Sequence, residues 1–215
     1  RLHLYVLPLF VPLSLMLARA LANWQWLDRR RLAITAVATA VALIGLKGLA
    51  AYWPADRDAR VMAKAIREQL AETDLIAHCV MTGGLIPAGH LLTRLNFPLH
   101  IDYLHATRYR GGTRGGELNW ITRPLLPFAG RTVMVIDDIL DEGLTLAAIQ
   151  NELRAQGAAA VYSAVLVKKQ HDRRPAHINA DFVGLEVVDR YVFGCGMDYH
   201  GYHRNLLGIY AVRGL

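Results

Sequence analysis

The 215-residue chain has only two cysteines, Cys79 and Cys195, far apart and each inside an apolar run. That excludes a disulfide framework and a cysteine-based zinc site, and it reads as buried free thiols in a reducing compartment. The nine histidines show no metal-ligand spacing, and His200 and His203 near the chain end read as surface residues. No Ser-His-Asp or Cys-His arrangement points to hydrolysis through a nucleophile. Internal repeats and low-complexity tracts are missing too, which excludes a solenoid and a long biased arm.

Charge is sparse. Only 20% of residues are charged while 53% are hydrophobic, slightly below and above the usual soluble ranges. The charge that is present leans basic, with 24 Lys and Arg against 18 Asp and Glu and a net charge of +6. Such a balance suits a phosphorylated small molecule, a nucleic acid or a membrane surface, or nothing more than a basic exterior. A chain of this length buries one good core with a small appendage.

The hydrophobic excess sits in the first fifty-odd residues. Residues 2–18 are apolar except for His3 and Ser14, and they contain Pro8 and Pro12. Arg19, Trp24, Trp26 and the cluster Asp28-Arg29-Arg30-Arg31 follow, then an uncharged run over residues 32–46 closed by Lys47 and Tyr52-Trp53-Pro54. Each run lies at or below the lower bound of about 17 residues for a spanning helix, unless its aromatic flanks are counted. Two readings stay open for residues 1–53: a membrane hairpin, or a pair of buried helices or fusion material. A signal peptide fits poorly, because no small-residue cleavage site precedes the arginines. The wording Leu7-Pro8-Leu9-Phe10-Val11-Pro12-Leu13 resembles the last membrane spans of lipid-linked-sugar glycosyltransferases, but no catalytic residue accompanies it. Basic residues flank the second run on both sides, so they set no orientation.

From Pro54 the texture changes. Residues 56–70 space Val61, Met62, Ala65, Ile66 and Leu70 at helical intervals among charges, which predicts an amphipathic helix. Short β-rich runs follow at 75–81, 99–106, 132–136, 160–167 and 182–187, with helical stretches at 87–95 and 144–156, the latter stopped by Gly157. Strands alternating with helices predict an α/β fold, a parallel sheet covered on both faces. The expected organisation is an apolar helical hairpin over 1–53 and an α/β domain over 54–215.

The most informative stretch runs from Val133 to Thr145. Four apolar residues form a buried strand that ends in Asp137-Asp138; Ile139, Leu140, Asp141, Glu142 and Gly143 make a tight loop, and Leu144 and Thr145 open a helix. Functional groups of open α/β sheets gather at the carboxyl ends of strands. Backbone N–H groups at a helix start form a phosphate site, to which the Thr145 hydroxyl adds a donor. Adjacent carboxylates accept sugar hydroxyls or hold a hydrated Mg²⁺. Alone, the Asp pair also fits a solvated turn, and Asp141 a helix cap.

The whole arrangement resembles the diphosphoribose signature of the type I phosphoribosyltransferases. The resemblance covers about three quarters of the chain and implies that family's parallel-sheet core with a small hood. It implies that Asp137 and Asp138 hold the ribose hydroxyls of phosphoribosyl diphosphate, and that Asp141, Glu142, Gly143, Leu144 and Thr145 cradle its 5′-phosphate. Asp141 would also face purine N7 as the acid/base group. Upstream, Met81-Thr82-Gly83-Gly84 resembles the family's pyrophosphate loop, with a cis peptide implied between Met81 and Thr82. The glycine-rich basic stretch from Arg108 and Tyr109 to Glu117 resembles the mobile catalytic loop, with Arg108-Tyr109 where a Ser-Tyr pair is usual. Lys168 best matches the lysine that reads a 6-oxo group, with Lys169 its alternative. Residues 181–199 resemble the base-binding segment: Tyr191 stacks on the purine, Val192 offers backbone groups, Asp198 holds Mg²⁺ with Asp137 and Asp138, and Arg204 contacts the diphosphate.

The family resembled is thus the hypoxanthine-guanine type of purine phosphoribosyltransferase, an enzyme of purine salvage that attaches hypoxanthine or guanine to ribose 5-phosphate. Mg²⁺ is the implied cofactor. Phosphoribosyl diphosphate and a 6-oxopurine are the expected partners, with a homo-oligomer (dimer or tetramer), no nucleic acid, and membrane contact only through residues 1–53. The cytosolic sugar donor implies a cytoplasmic location for the domain. The rivals are a regulator that keeps the fold and binds nucleic acid, and a membrane-anchored fusion in which the domain is inactive.

Overall fold

The computed structural model describes residues 54–108 and 118–212. The hairpin expected over 1–53 lies outside the described residues, as do Tyr109 and the rest of the glycine-rich stretch. No helix among the described residues is long and apolar enough to cross a membrane.

Helix α1 (Pro54–Leu70) buries Ala59, Met62, Ala63, Ile66 and Leu70. The stripe is offset from the one read in the sequence: Val61 and Ala65 face solvent, beside the exposed Lys64–Glu68 pair. Strand β1 (Leu75–Val80) is buried at every position. Helix α2 (Leu85–Leu92), β2 (His100–Arg108), β3 (Leu118–Thr122) and β4 (Thr132–Leu140) follow; then come α3 (Leu144–Ala155), β5 (Ala160–Gln170) and β6 (Phe182–Val188). Gly157, with φ +95°, stops α3 as expected.

The six strands form one sheet in the order β3-β2-β1-β4-β5-β6. All pairings are parallel except β2 with β3. Alternation sorts the core between the two faces. Leu75, Ala77, Cys79, Met134 and Ile136 meet α1 and α2, while Ile76, Val80, Leu104, Val133 and Val135 meet Leu146, Ile149 and Leu153 of α3. Burial on both faces is why these strands read as continuous apolar runs. The antiparallel edge strand β3 was not visible in the sequence. Beyond β6, β7 (Val192–Phe193) pairs antiparallel with β8 (Tyr210–Ala211), and Val192 packs with Val167 and Met197 over the end of the sheet. This is the small hood.

His78 is the core's odd member. It is fully buried, neither ring nitrogen has a hydrogen-bond partner, and its edge meets Phe128. Burial pushes its pKa down to about 4, opposed only in part by Asp102 at 3.8 Å.

Candidate active site

The sheet order reverses between β1 and β4, the place where α/β folds open a crevice at their carboxyl edge. A cleft of about 1090 Å³ lies there. Its lining includes Thr82, Gly83, Asp137, Asp138, Asp141 and Arg204, together with the start of α3.

The two acids sit inside β4 rather than after it, since the strand runs on to Leu140 where the sequence suggested an end at Ile136. Hydrogen bonding into the sheet therefore fixes both side chains. The Asp138 N–H donates to Asp137 Oδ1 at 2.9 Å. Burial raises the pKa of both carboxyls, and the charge of Asp138 raises Asp137 further, so Asp137 is held well above the usual carboxylate range. The β1 turn closes against this pair: the Met81–Thr82 peptide is cis, and a Cβ on Gly83 would lie 2.1 Å from Asp138 Oδ2. On the other side Arg204 sits 3.6 Å from Asp138 Oδ2 and donates to Asp198 Oδ1 at 2.6 Å.

Gly143 caps α3 in the left-handed region at φ +74°, with no side chain contributing a capping bond. Asp141 is therefore not the helix cap. The first N–H groups of the helix lack intrahelical acceptors, and Gly143 to Leu146 line the cleft. A helix start of this kind can receive an anion.

Asp141 belongs to a separate network. The register Leu140↔Lys168 sets Asp141 beside Lys169, one residue on in each chain segment. Lys169 Nζ donates to Asp141 Oδ2 at 2.8 Å, and His171 Nε2 lies 2.7 Å from Oδ1. Arg173 reaches Oδ1 at 3.5 Å and grips both oxygens of Asp189. Arg174 donates to the main-chain carbonyls of Asp141 and Lys169. Partial burial pushes Asp141 upward, but the bonds from Lys169 and His171 outweigh it, and the carboxyl is held below its ordinary range.

This geometry agrees with comparison to known proteins. The phosphoribosyl transferase domain family matches residues 54–200. The chain is 31% identical over 147 residues to a hypoxanthine-guanine-xanthine phosphoribosyltransferase of Tritrichomonas foetus, covering 68% of this chain and 80% of that one. It is 32% identical over 142 residues to a hypoxanthine-guanine phosphoribosyltransferase of Bacillus subtilis, covering 66% and 78%. The crystal structure of a hypoxanthine phosphoribosyltransferase from Staphylococcus aureus superposes with a TM-score of 0.66 at 29% identity, over 74% of this chain and 88% of that one. The chain belongs to the phosphoribosyltransferase family. It is a transferase, with the mostly parallel α/β core of that family.

Within this phosphoribosyltransferase site, Thr82, Gly83, Asp137, Asp138, Asp141, Glu142, Gly143, Leu144, Thr145, Asp198 and Arg204 share one cleft. Lys168 turns instead to Glu186 at 3.2 Å, so Lys169 is the lysine that reaches Asp141. Tyr191 is half-exposed in the hood, its hydroxyl donating to the Asp198 carbonyl at 3.2 Å, and Val192 is buried beneath it. Of the pair Arg108-Tyr109, only the Arg108 backbone, the end of β2, is described. Both cysteines are buried and free, and burial, then the Asp137 and Asp138 charges, pushes the Cys79 thiol up to about 11.

The residues missed by sequence reasoning are His171, Arg173, Arg174 and Asp189. The signal for the first three was a His-Asp-Arg-Arg run leaving the strand that carries Lys168 and Lys169, while Asp189 lies in the 181–199 segment. Asp141, His171 and Asp189 bring possible ligand atoms within 4.8 Å of one another, but Lys169 and Arg173 already neutralise both carboxylates there. Asp137 and Asp138 differ: two adjacent acids share a desolvated strand end with one guanidinium nearby. Hard carboxylate oxygens with uncompensated charge fit Mg²⁺, and Asp198, bonded by Arg204, adds a third carboxylate to the same cleft.

Proposed function

We propose that residues 54–215 form a purine-salvage domain that transfers the phosphoribosyl group of phosphoribosyl diphosphate to hypoxanthine or guanine, releasing diphosphate. The observation that carries this reading is the convergence of the β4 acids, the Gly83 turn and the α3 start on one cleft, with Asp141 tied to Lys169 at its edge. Asp137 and Asp138 accept the ribose hydroxyls, and the N–H groups from Gly143 to Leu146 take the 5′-phosphate. The Gly83 turn and Arg204 take the diphosphate. Asp137, Asp138 and Asp198 would hold Mg²⁺, which supplies charge neutralisation for the departing diphosphate.

The C1–O bond breaks ahead of attack, leaving an oxocarbenium-like sugar. Fixed charge and alignment carry most of the rate enhancement. As N9 bonds to C1, Asp141 removes the N7 proton. Lys169 donates to the 6-oxo group, which favours hypoxanthine or guanine over adenine, and Tyr191 covers the base. A regulator that only sensed the sugar would need neither Lys169 nor the carboxylate it holds. Residues 1–53 form a separate apolar segment in this reading, and the domain acts in the cytoplasm as a homo-oligomer.

The test is transfer of radiolabelled bases with phosphoribosyl diphosphate and Mg²⁺. Nucleotide forms with hypoxanthine or guanine, little forms with adenine, and D141N lowers kcat by about 100-fold or more. Equal turnover by D141N removes Asp141 from the mechanism.

A further inference from the structure

His171 belongs to none of the motifs singled out in the sequence, yet its imidazole is among the most enclosed polar groups of the site, with a side chain 4% exposed. Its two nitrogens have different neighbours. The Arg173 backbone N–H donates to Nδ1 at 3.2 Å, while Nε2 faces Asp141 Oδ1 at 2.7 Å. A nitrogen that accepts an N–H carries no proton, so a neutral ring holds its hydrogen on Nε2 and donates to Asp141. The β5–β6 loop is itself anchored by Arg174, whose guanidinium bonds the carbonyls of Asp141 and Lys169. The loop that carries His171 is thus tied to the backbone of Asp141, whose carboxylate the imidazole contacts.

The two oxygens of Asp141 are therefore not equivalent. Oδ1 faces His171 and, at 3.5 Å, Arg173, whereas Oδ2 faces Lys169. We propose that His171 is a positioning residue that pins Asp141 Oδ1 and so reserves Oδ2 for the purine N7 proton. This rests on the reading of Asp141 and Lys169 given above. When the Lys169 ammonium bonds the 6-oxo oxygen of the base, Oδ2 loses its donor and turns into the acceptor that N7–H requires. The N7–H bond breaks and an Oδ2–H bond forms. The N7 electron pair stays in the ring as the N9 lone pair closes on C1. No proton leaves His171 in this step, and its Nε2–H stays a donor to Asp141 Oδ1. The other charges near Asp141 are Arg173 on Oδ1 and Asp189, which lies 3.9 Å from Lys169.

The test compares the full chain with H171L, which removes the donor, and H171Q, whose amide restores one near the Nε2 position. Circular dichroism verifies folding, and H171M replaces H171L if the latter unfolds. With hypoxanthine, H171L loses about tenfold or more in kcat while the KM for phosphoribosyl diphosphate stays within about twofold, and H171Q recovers most of the loss. Asp141 must be ionised to accept the proton, so the acid limb of the H171L rate profile moves to higher pH. In parallel, ¹³C NMR follows the Asp141 carboxyl, assigned by its disappearance in D141N, without substrate. It titrates at higher pH in H171L than in the parent. Parent-like kcat in H171L, or an unmoved carboxyl titration, overturns the proposal. If the parent itself forms no nucleotide, the proposed function fails, and the NMR comparison alone decides whether His171 governs Asp141.

Discussion

Replacing Gly83 by alanine isolates how closely the diphosphate turn must approach the ribose acids. The added Cβ would lie 2.1 Å from Oδ2 and 2.5 Å from Cγ of Asp138, whereas ordinary contact begins at 3.4 Å. Something must therefore move by roughly 1.3 Å. The turn is held by the Gly84 N–H on the Val80 carbonyl at 2.8 Å, so the Asp138 carboxylate is the softer partner. Moving it drags it from its place 3.6 Å from Arg204. A displacement of about 1 Å in a positioning group costs on the order of 100-fold in rate, about 2.7 kcal/mol of transition-state stabilisation. Stability falls by only about 1 kcal/mol, a drop of roughly 2–4 °C in Tm, because the clash is with a side chain that can rotate toward the cleft.

Initial rates with phosphoribosyl diphosphate as the varied substrate, for the parent, G83A, D138N and the double variant, test this chain of reasoning. Because both substitutions act through one carboxylate, the double variant should be scarcely slower than the worse single one. Strict additivity, or a G83A protein with parental kcat/KM, would refute the claim that the missing side chain exists to make room for Asp138.

Two further perturbations probe other parts of the domain. R204K keeps the charge but cannot span Asp138, Asp198 and the Gly196 carbonyl as the guanidinium does; the KM for phosphoribosyl diphosphate should rise about tenfold with the KM for the base unchanged, as steady-state kinetics would record. His78 tests the core: its folded pKa of about 4 lies below the ordinary histidine value of 6.5, so the unfolded chain takes up a proton that the native ring refuses, and stability drains away as pH falls between those values. Urea unfolding at about pH 7 and about pH 5 should show a loss of roughly 2 kcal/mol from this residue, and H78L should be flatter over that interval.

The parts legible in the sequence are those in which one local pattern meets one physical demand. Runs at 75–80 and 132–136, apolar but for His78 and Thr132, announced parallel strands, and Gly143 ahead of an apolar helix announced a tight loop, in which the residue takes a φ of +74°. Strand ends were harder to read, because the hydrogen-bonded ladder continues past the last apolar residue: β4 keeps Asp137 and Asp138, and β5 keeps Lys168 and Lys169. That continuation matters for the lysines. Alternation along β5 sends Lys168 to Glu186 on β6 and Lys169 to Asp141, a parity that cannot be set until the strand's register is known. His171, Arg173 and Arg174 were invisible for a related reason. They leave the strand as an ordinary basic loop and gain meaning only when the fold returns them to a carboxylate some thirty residues upstream.

The distribution of charge along β4 divides the cleft into two regimes. Asp137 and Asp138 are desolvated, adjacent and opposed by one guanidinium at 3.6 Å, so their negative charge is undercompensated. Four residues further on from Asp137, Asp141 and its neighbour Asp189 are matched by Lys169 and Arg173, with His171 Nε2 on the second oxygen, so the negative charge there is compensated. A divalent cation is drawn to the first end and finds no free negative charge at the second, even though Asp141, His171 and Asp189 bring their ligand atoms within 4.8 Å. The same asymmetry suits a substrate that is a polyanion at one end and a neutral heterocycle at the other. The diphosphate carries its cation to the β4 acids, and the base displaces an ammonium held by Asp141 and, more weakly, Asp189. On this view Lys169 serves as a counter-ion before the base arrives and as a hydrogen-bond donor afterwards, and the exchange leaves Asp141 with a free oxygen at the moment a proton must leave N7.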